Sequence, residues 1–195
     1  LLFALDADTA REVGGQFERN EIGKRYLAVV RGWPPEQGVI DHPLSRRFDD
    51  YGRKYTPGNE PEPLPALTCF RRLATIELPE AVERYPSTRY ALVELEPCSG
   101  RQHQLRRHMK HISHPIIGDA NWGKGIHNRF FQRRFGCHRL LLACTRMSLR
   151  HPQDGRRLAI EAPPEANFAG VVAALGWNAD IPTSRLDVGR CETVV

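Results

Sequence analysis

Hydrophobic residues recur along the chain at the spacings of amphipathic helices and half-buried strands. The clearest helical pattern places Leu105, Met109 and Ile112 at positions i, i+4 and i+7, which form one apolar stripe. A Pro-Cys-Ser-Gly turn signal precedes this segment, and Pro115, which cannot continue a helix, follows it. The pattern therefore predicts a helix within residues 101–112.

Similar reasoning predicts the other elements. Alternating apolar positions and runs of β-branched or aromatic residues predict strands at 1–5, 24–32, 38–44, 68–78, 88–96, 140–142, 147–149 and 158–160. Capping residues and amphipathic spacing predict helices from Asp6 to near Asn20, at 130–135 and at 168–175. We expect the first of these helices to bury Ala10, Val13 and Phe17. The prolines and glycines between 45 and 65 predict a loop.

Composition narrows the class of protein. A chain of 195 residues suits one domain, which we place at residues 1–177, followed by a mobile tail at 178–195. The net charge of +5 favours a nucleic-acid partner. Because no apolar run approaches the roughly 18 residues of a membrane span and no secretory signal is recognisable, we expect a cytoplasmic protein. Five cysteines without a C-x-x-C pair argue against a zinc ribbon.

The predicted helix at 101–112 carries an unusual excess of positive charge. Four arginines or lysines and three histidines occur in it, and no acidic residue does. A surface helix normally mixes both signs of charge, so this face suits an anionic partner such as a polyphosphate. A solvated basic helix without a ligand would show the same composition, and composition alone does not separate the two interpretations.

The most specific motif covers residues 100–123, with the sequence G-R-Q-H-Q-L-R-R-H-M-K-H-I-S-H-P-I-I-G-D-A-N-W-G. Its spacing and residue types resemble those of the RluA family of pseudouridine synthases. Two more segments extend the resemblance: K-R-Y-L-A-V-V-R-G at 24–32 and R-L-L-L-A-C-T-R-M-S-L-R-H-P at 139–152. Residues 73–79 and 84–97 most resemble the branch of that family that modifies tRNA.

The resemblance implies a fold and a reaction. The fold would be an α+β catalytic domain with a bent, mixed and mostly antiparallel sheet flanked by helices. The reaction would isomerise a uridine of tRNA, uridine 65 of the T stem, to pseudouridine without a cofactor or a metal. A carboxylate nucleophile, a ring that stacks on the base and a group that takes the C5 proton are required. We expect a monomer that binds RNA and no membrane.

The resemblance also implies roles for individual residues. The family's nucleophile is the aspartate of H-R-L-D-x-x-T-S-G-L-L, a motif that this sequence lacks. We expect that aspartate upstream of Leu1, so that this fragment alone would be inactive. By the resemblance Arg106 would pair with it, and no acid within the chain is an evident alternative partner. Tyr26 would stack on the base and act as, or orient, the proton acceptor, although a purely positional role is also possible.

Arg106 should point into a cleft beside Tyr26 and the strand that begins at Leu1. At the family's L-H-A site the chain has Leu142, Ala143 and Cys144 instead, so the role of that histidine is absent or taken elsewhere. The residues expected to bind RNA are Arg46, Arg47, Arg101, His103, Gln104, Arg107 and Lys110.

Three other interpretations stay open from sequence. The chain could be a non-catalytic RNA-binding module, or a synthase that acts on rRNA. Alternatively, His108, His111 and His114 with Asp119 could hold a metal ion. The metal site is disfavoured because His114 precedes Pro115, off the helix, and no H-E-x-x-H pattern is present.

Overall fold

A computed structural model of the chain describes residues 2–47, 53–56, 58–59 and 61–178. The strands are β1 (Gly23–Arg31), β2 (Gln37–Asp41), β3 (Leu67–Leu78), β4 (Thr88–Pro97), β5 (Leu142–Arg150) and β6 (Arg157–Glu161). The helices are α1 (Ala7–Glu18), α2 (Gln104–His111), α3 (Gly125–Phe135) and α4 (Ala166–Ala174). The strands form one sheet in the order β2-β3-β4-β1-β5-β6, and each described pairing is antiparallel. The predicted α+β class is confirmed.

The two central strands are apolar on both faces because helices cover both sides of the sheet. Leu27 and Val29 of β1 belong to a core that includes residues of α3 and α4. Ala28 and Val30 belong to a second core, which α2 closes with its apolar stripe. Alternation along β1 therefore assigns successive side chains to opposite cores. This arrangement fixes α2 over the face of the sheet on which Tyr26 lies.

The prediction of a buried strand at 1–5 is wrong. Residues 2–5 form no strand, and Phe3 and Leu5 are 79% and 99% exposed. A strand needs a hydrogen-bonded neighbour, and residues 2–5 pair with none of the described strands. The helix that follows does begin where predicted, because the Asp6 side chain accepts a hydrogen bond from the Thr9 amide.

The buried face of α1 also differs from the prediction. Phe17 is exposed, whereas Gln16 is buried and exchanges hydrogen bonds with the backbone N–H and C=O of Arg150 on β5. The predicted strand at 147–149 and the last residue of the one predicted at 140–142 belong to a single strand, β5, and residues 140 and 141 precede it. Residues 179–195, most of the predicted tail, lie outside the described residues. No helix of the described residues is long and apolar enough to cross a membrane.

Candidate active site

A pocket of about 260 Å³ lies between the start of β1 and the beginning of α2, and we call it the active-site pocket. It is lined by Lys24, Tyr26, Pro97, Ser99, Gly100, Arg101, His103, Gln104, Leu105, Arg106 and Leu142. Three elements meet there because β4 ends at Pro97, next to β1, and the chain then turns directly into α2. The structure thus brings Tyr26 and Arg106 to one cavity, as the resemblance implied.

Tyr26 occupies the floor of the pocket on β1. It pairs across the sheet with Leu95 on β4 and with Cys144 on β5, and its ring lies on the face that carries Ala28. Burial raises the pKa of Tyr26 to about 12, and a hydrogen bond with the Cys144 side chain acts in the same direction. The phenol is therefore protonated throughout the neutral range.

Arg106 forms a two-pronged ion pair with Asp119. Its Nε lies 2.7 Å from Oδ2 and its Nη2 2.8 Å from Oδ1. The Asp119 side chain is 1% exposed and that of Arg106 18%, so the pair is shielded from water. The Arg106 guanidinium also lies 4.5 Å from the centre of the Trp122 ring. The expectation that no acid within the chain pairs with Arg106 is therefore wrong.

A tight turn after Ile117 brings Asp119 under α2. Gly118 has φ = +81°, and a Cβ there would lie 1.9 Å from the carbonyl oxygen of Arg139, so only glycine fits. Asp119 Oδ1 accepts hydrogen bonds from the amides of Asn121 and Trp122 as well as from Arg106. Burial acts to raise the pKa of Asp119, but these hydrogen bonds together hold it below its ordinary value. The carboxylate is therefore charged at neutral pH.

Gln104, one of the residues expected to bind RNA, makes its hydrogen bonds within the protein. Its side chain is buried, and its amide Nε2 donates to the Leu67 carbonyl at 2.8 Å and to Thr68 Oγ1 at 3.0 Å. Its Oε1 accepts from Ser99 Oγ at 2.8 Å and from the Arg101 amide at 3.0 Å. Because all four hydrogen bonds are made within the protein, Gln104 anchors the start of α2 to β3.

His103 stands at the mouth of the active-site pocket. It is the residue before α2 and has a left-handed backbone with φ = 54°. Its ring lies 4.7 Å from the Trp122 ring, and burial, followed by the charge of Arg106, lowers its pKa. A neutral imidazole beside the pocket can hydrogen-bond or stack with a base, so the structure leaves the expected RNA contact possible.

The remaining residues expected to bind RNA are Arg46, Arg47, Arg101, Arg107 and Lys110, which we call the basic surface of α2. Arg46, Arg47 and Lys110 are exposed, whereas Arg101 and Arg107 are partly buried. Backbone carbonyls orient the two partly buried guanidinium groups, that of Pro65 for Arg101 and that of Ser45 for Arg107. Burial, and then the charge of Arg47, lowers the pKa of Arg107, which indicates that the two cations are close.

Comparisons with known proteins decide the family. The sequence profile of RNA pseudouridylate synthase matches residues 1–111, more than half of the chain. The chain belongs to the RNA pseudouridylate synthase family. Within that family, the chain is of the RluA type.

Curated relatives of this family cover most of the chain. It is 45% identical over 182 residues to the tRNA pseudouridine synthase C of Pectobacterium carotovorum subsp. carotovorum, covering 93% of this chain and 48% of that protein. It is 43% identical over 182 residues to the tRNA pseudouridine synthase C of Salmonella typhi, covering 93% of this chain and 70% of that protein. The chain thus spans about half the length of the first relative and 70% of the length of the second.

A solved structure confirms the synthase fold. The human RNA pseudouridylate synthase domain containing 1 superposes with a TM-score of 0.62 at 24% identity, covering 89% of this chain and 73% of that one. The segment matched by the family profile contains Tyr26 and Arg106 but ends before Asp119. The Arg106–Asp119 pair therefore comes from the structure of this pseudouridine synthase chain and not from the profile match.

Three residues of the metal site considered from the sequence, His108, His114 and Asp119, contact other protein groups. Both ring nitrogens of His108 lie within hydrogen-bond distance of protein oxygens, Thr68 Oγ1 at 2.9 Å and the His42 carbonyl at 3.0 Å. His114 Nδ1 lies 2.9 Å from the Arg31 carbonyl oxygen, and Asp119 is occupied by Arg106. These groups are engaged with the protein, and within the described ranges no three metal-binding side chains converge.

Sequence reasoning missed two components of the site, Asp119 and Trp122. Both belong to the H-P-I-I-G-D-A-N-W-G segment that helped to identify the family. The signal that could have revealed them is Gly118: a turn after a buried Ile116-Ile117 pair returns the next residues toward the preceding helix. From sequence, Asp119 suggests only a metal ligand.

Proposed function

We propose that this chain forms the catalytic domain of an RNA pseudouridine synthase that converts one uridine of tRNA, at uridine 65 of the T stem, to pseudouridine. The observation that carries the proposal is the meeting of Tyr26 and Arg106 in one pocket at the beginning of a basic helix. The names of the curated relatives support tRNA as the substrate. We also propose that the protein works as a cytoplasmic monomer without a cofactor or a metal.

The reaction is an isomerisation, so no atom is gained or lost. The bond between the sugar and N1 of the base breaks, the base turns, and a bond forms between the sugar and C5. The C5 proton leaves to an acceptor, and N1 ends protonated. The nucleophile that we propose is the aspartate of the H-R-L-D motif, which is not part of this sequence. The described residues supply the groups that surround it.

Asp119 orients the Arg106 guanidinium so that it can bind an anion in the active-site pocket. A guanidinium has five N–H donors in a fixed plane, and Asp119 takes two of them. Three donors remain, and because Arg106 also lines the pocket, we propose that they face the nucleophilic carboxylate or the RNA. The cation favours the ionised form of a carboxylate, as nucleophilic attack requires. Asp119 is thus a positioning residue, since it acts on the pocket through Arg106.

Tyr26 is proposed to stack on the uracil ring and to act with its hydroxyl near C5. With a pKa of about 12, only about 10⁻⁵ of Tyr26 is ionised at pH 7. A resting phenolate is therefore not the base, and the neutral hydroxyl must act through its oxygen lone pair or through orientation. A neutral aromatic ring half-buried in the pocket floor is suited to stacking with a flipped base.

The full-length protein that contains this chain allows a direct test. We expect it to release tritium from a tRNA transcript labelled at C5 of uridine, and to place pseudouridine at one position. Arg106→Ala should abolish release, whereas Arg84→Ala, which removes an exposed arginine outside the pocket, should not change it. Modification of rRNA fragments but not of tRNA would refute the substrate, and no release from either would refute the function.

A further inference from the structure

A second and larger cavity, of about 630 Å³, adjoins the active-site pocket. Lys24 and Pro97 belong to the walls of both cavities. The cavity runs from there between the end of α1 and the surface of β5 and β6, and α2 contributes no residue to its walls. It is therefore separate from the basic surface of α2. We call it the basic groove.

Positive charge dominates the lining of the basic groove. Its cations are Arg19, Lys24, Arg25, Arg146 and Arg157, and its carboxylates are Glu21 and Glu96. The lining thus carries five cations and two acids, a higher ratio of cations to acids than the 28 to 23 of the whole chain. A concave surface with one dominant sign of charge concentrates ligands of the opposite sign.

The cations differ in how far protein carboxylates neutralise them. Arg25 Nε lies 2.7 Å from Glu96, Arg19 Nε lies 2.8 Å from Glu21, and Arg146 Nε lies 3.8 Å from the exposed carboxylate of Glu161. Lys24 and Arg157 have no carboxylate within ion-pair distance in the part of the chain that the structure describes. Lys24 is in addition half-buried, and burial lowers its pKa. A half-buried cation without a counter-ion gains when an external anion binds.

Small residues contribute to the walls of the basic groove, so a polynucleotide can come close to the protein backbone there. They are Gly23, Ser148 and Ala159. A Cβ at Gly23 would lie 2.5 Å from Ser148 Oγ, so a larger residue there would require the Ser148 side chain to rotate. A polynucleotide backbone requires this kind of close approach, with cations along the edges and little side-chain bulk between them.

We propose that the basic groove binds the phosphates of the RNA strand adjoining the target uridine, on the side of the active-site pocket away from α2. This inference rests on the proposed function. Lys24 is two residues from Tyr26 on β1, so about 7 Å separates them along the strand. A nucleotide next to a uridine stacked on Tyr26 therefore reaches Lys24 first. Arg157 and Arg146 then meet the following phosphates, while the basic surface of α2 binds the other side of the substrate.

The test compares two neighbouring arginines on β6 and the turn before it. Arg157 lines the groove, whereas Arg156 lies outside it and pairs with Asp154 at 3.2 Å. Both residues are exposed, so neither Arg157→Glu nor Arg156→Glu should impair folding, and each changes the net charge equally. In the full-length protein, tRNA affinity is measured at several salt concentrations, together with KM for tRNA and the melting temperature. Arg157→Gln serves as a second, milder variant.

Arg157→Glu should weaken tRNA binding about tenfold, as expected for a lost charged hydrogen bond. The slope of log K against log salt should fall by about one, and KM should rise. Arg156→Glu should change affinity less than twofold. Equal affinities for the two glutamate variants would refute RNA binding by the basic groove. In that case the proposed function would still stand as long as the wild-type protein binds and modifies tRNA. A wild-type protein that neither binds nor modifies RNA would overturn both.

Discussion

Replacing Asp119 by asparagine tests the ion pair that holds Arg106 in place. Asparagine keeps Oδ1, so the hydrogen bonds from the amides of Asn121 and Trp122 can persist. It removes the charge and the Oδ2 acceptor, which receives Arg106 Nε at 2.7 Å. The turn can therefore survive the substitution, and the guanidinium is left facing an amide group instead of a carboxylate.

The size of the effect follows from burial. Removing one partner of a buried ion pair costs about 3–5 kcal/mol, because the other charge stays buried without compensation. Asp119 is fully buried, but the Arg106 side chain is 18% exposed and can regain some hydration. We therefore expect the lower end of the range, a loss of about 3 kcal/mol in the free energy of unfolding. For a chain of this size the melting temperature should fall by roughly 6–12 °C.

Chemical denaturation and thermal unfolding at pH 7 measure this loss. The control is Asp154→Asn, which removes an ion pair whose carboxylate is 52% exposed and should cost less than about 1 kcal/mol. Turnover should also fall in Asp119→Asn while tRNA affinity changes little, because Arg106 loses its orientation. An Asp119 variant as stable as the Asp154 variant would refute the account of the ion pair.

The same pair predicts a dependence on pH. The pKa of Asp119 in the folded protein is below its ordinary value of 3.8, so the unfolded chain binds the proton more readily. The stabilisation is therefore fully present above about pH 4 and is lost as the pH falls through the folded-state pKa. The stability difference between wild type and Asp119→Asn should be constant from pH 7 to 5 and shrink below pH 4. A difference that persists unchanged at pH 3 would contradict this reasoning.

Two further substitutions separate chemistry from anchoring. Tyr26→Phe keeps the ring and removes the hydroxyl, so tRNA affinity should survive while turnover falls by about 10² or more, as for loss of a general acid–base group; full turnover would leave Tyr26 only a stacking role. Gln104→Ala should lower the free energy of unfolding by about 2–3 kcal/mol, because it leaves buried donors and acceptors on β3 and at the start of α2 unpaired. Denaturation of Gln104→Ala beside the exposed Gln153→Ala tests this, and equal stabilities would refute the anchoring role.

The sequence by itself determined the local elements whose signals are periodic. The apolar stripe of α2, the end of α3 at Gly136 and the antiparallel pair β3 and β4 were all predictable, because each signal lies within one element or its ends. The fold class and the family could be predicted from the 100–123 motif. The shared location of Tyr26 and Arg106 followed from the same resemblance.

The tertiary structure alone decided which side chains meet between elements. Asp119 reaches Arg106 because of a turn at Gly118, and Gln104 is buried because α2 docks on β3. Cys144 meets Tyr26 only through the register of β5 on β1, which shifts by one residue between Arg25 and Tyr26. Residues 2–5 are exposed in spite of their apolar sequence because they pair with no strand of the described sheet. Periodicity reports which face of an element is buried, whereas sheet order, register and turns decide what covers that face, and those depend on the whole chain.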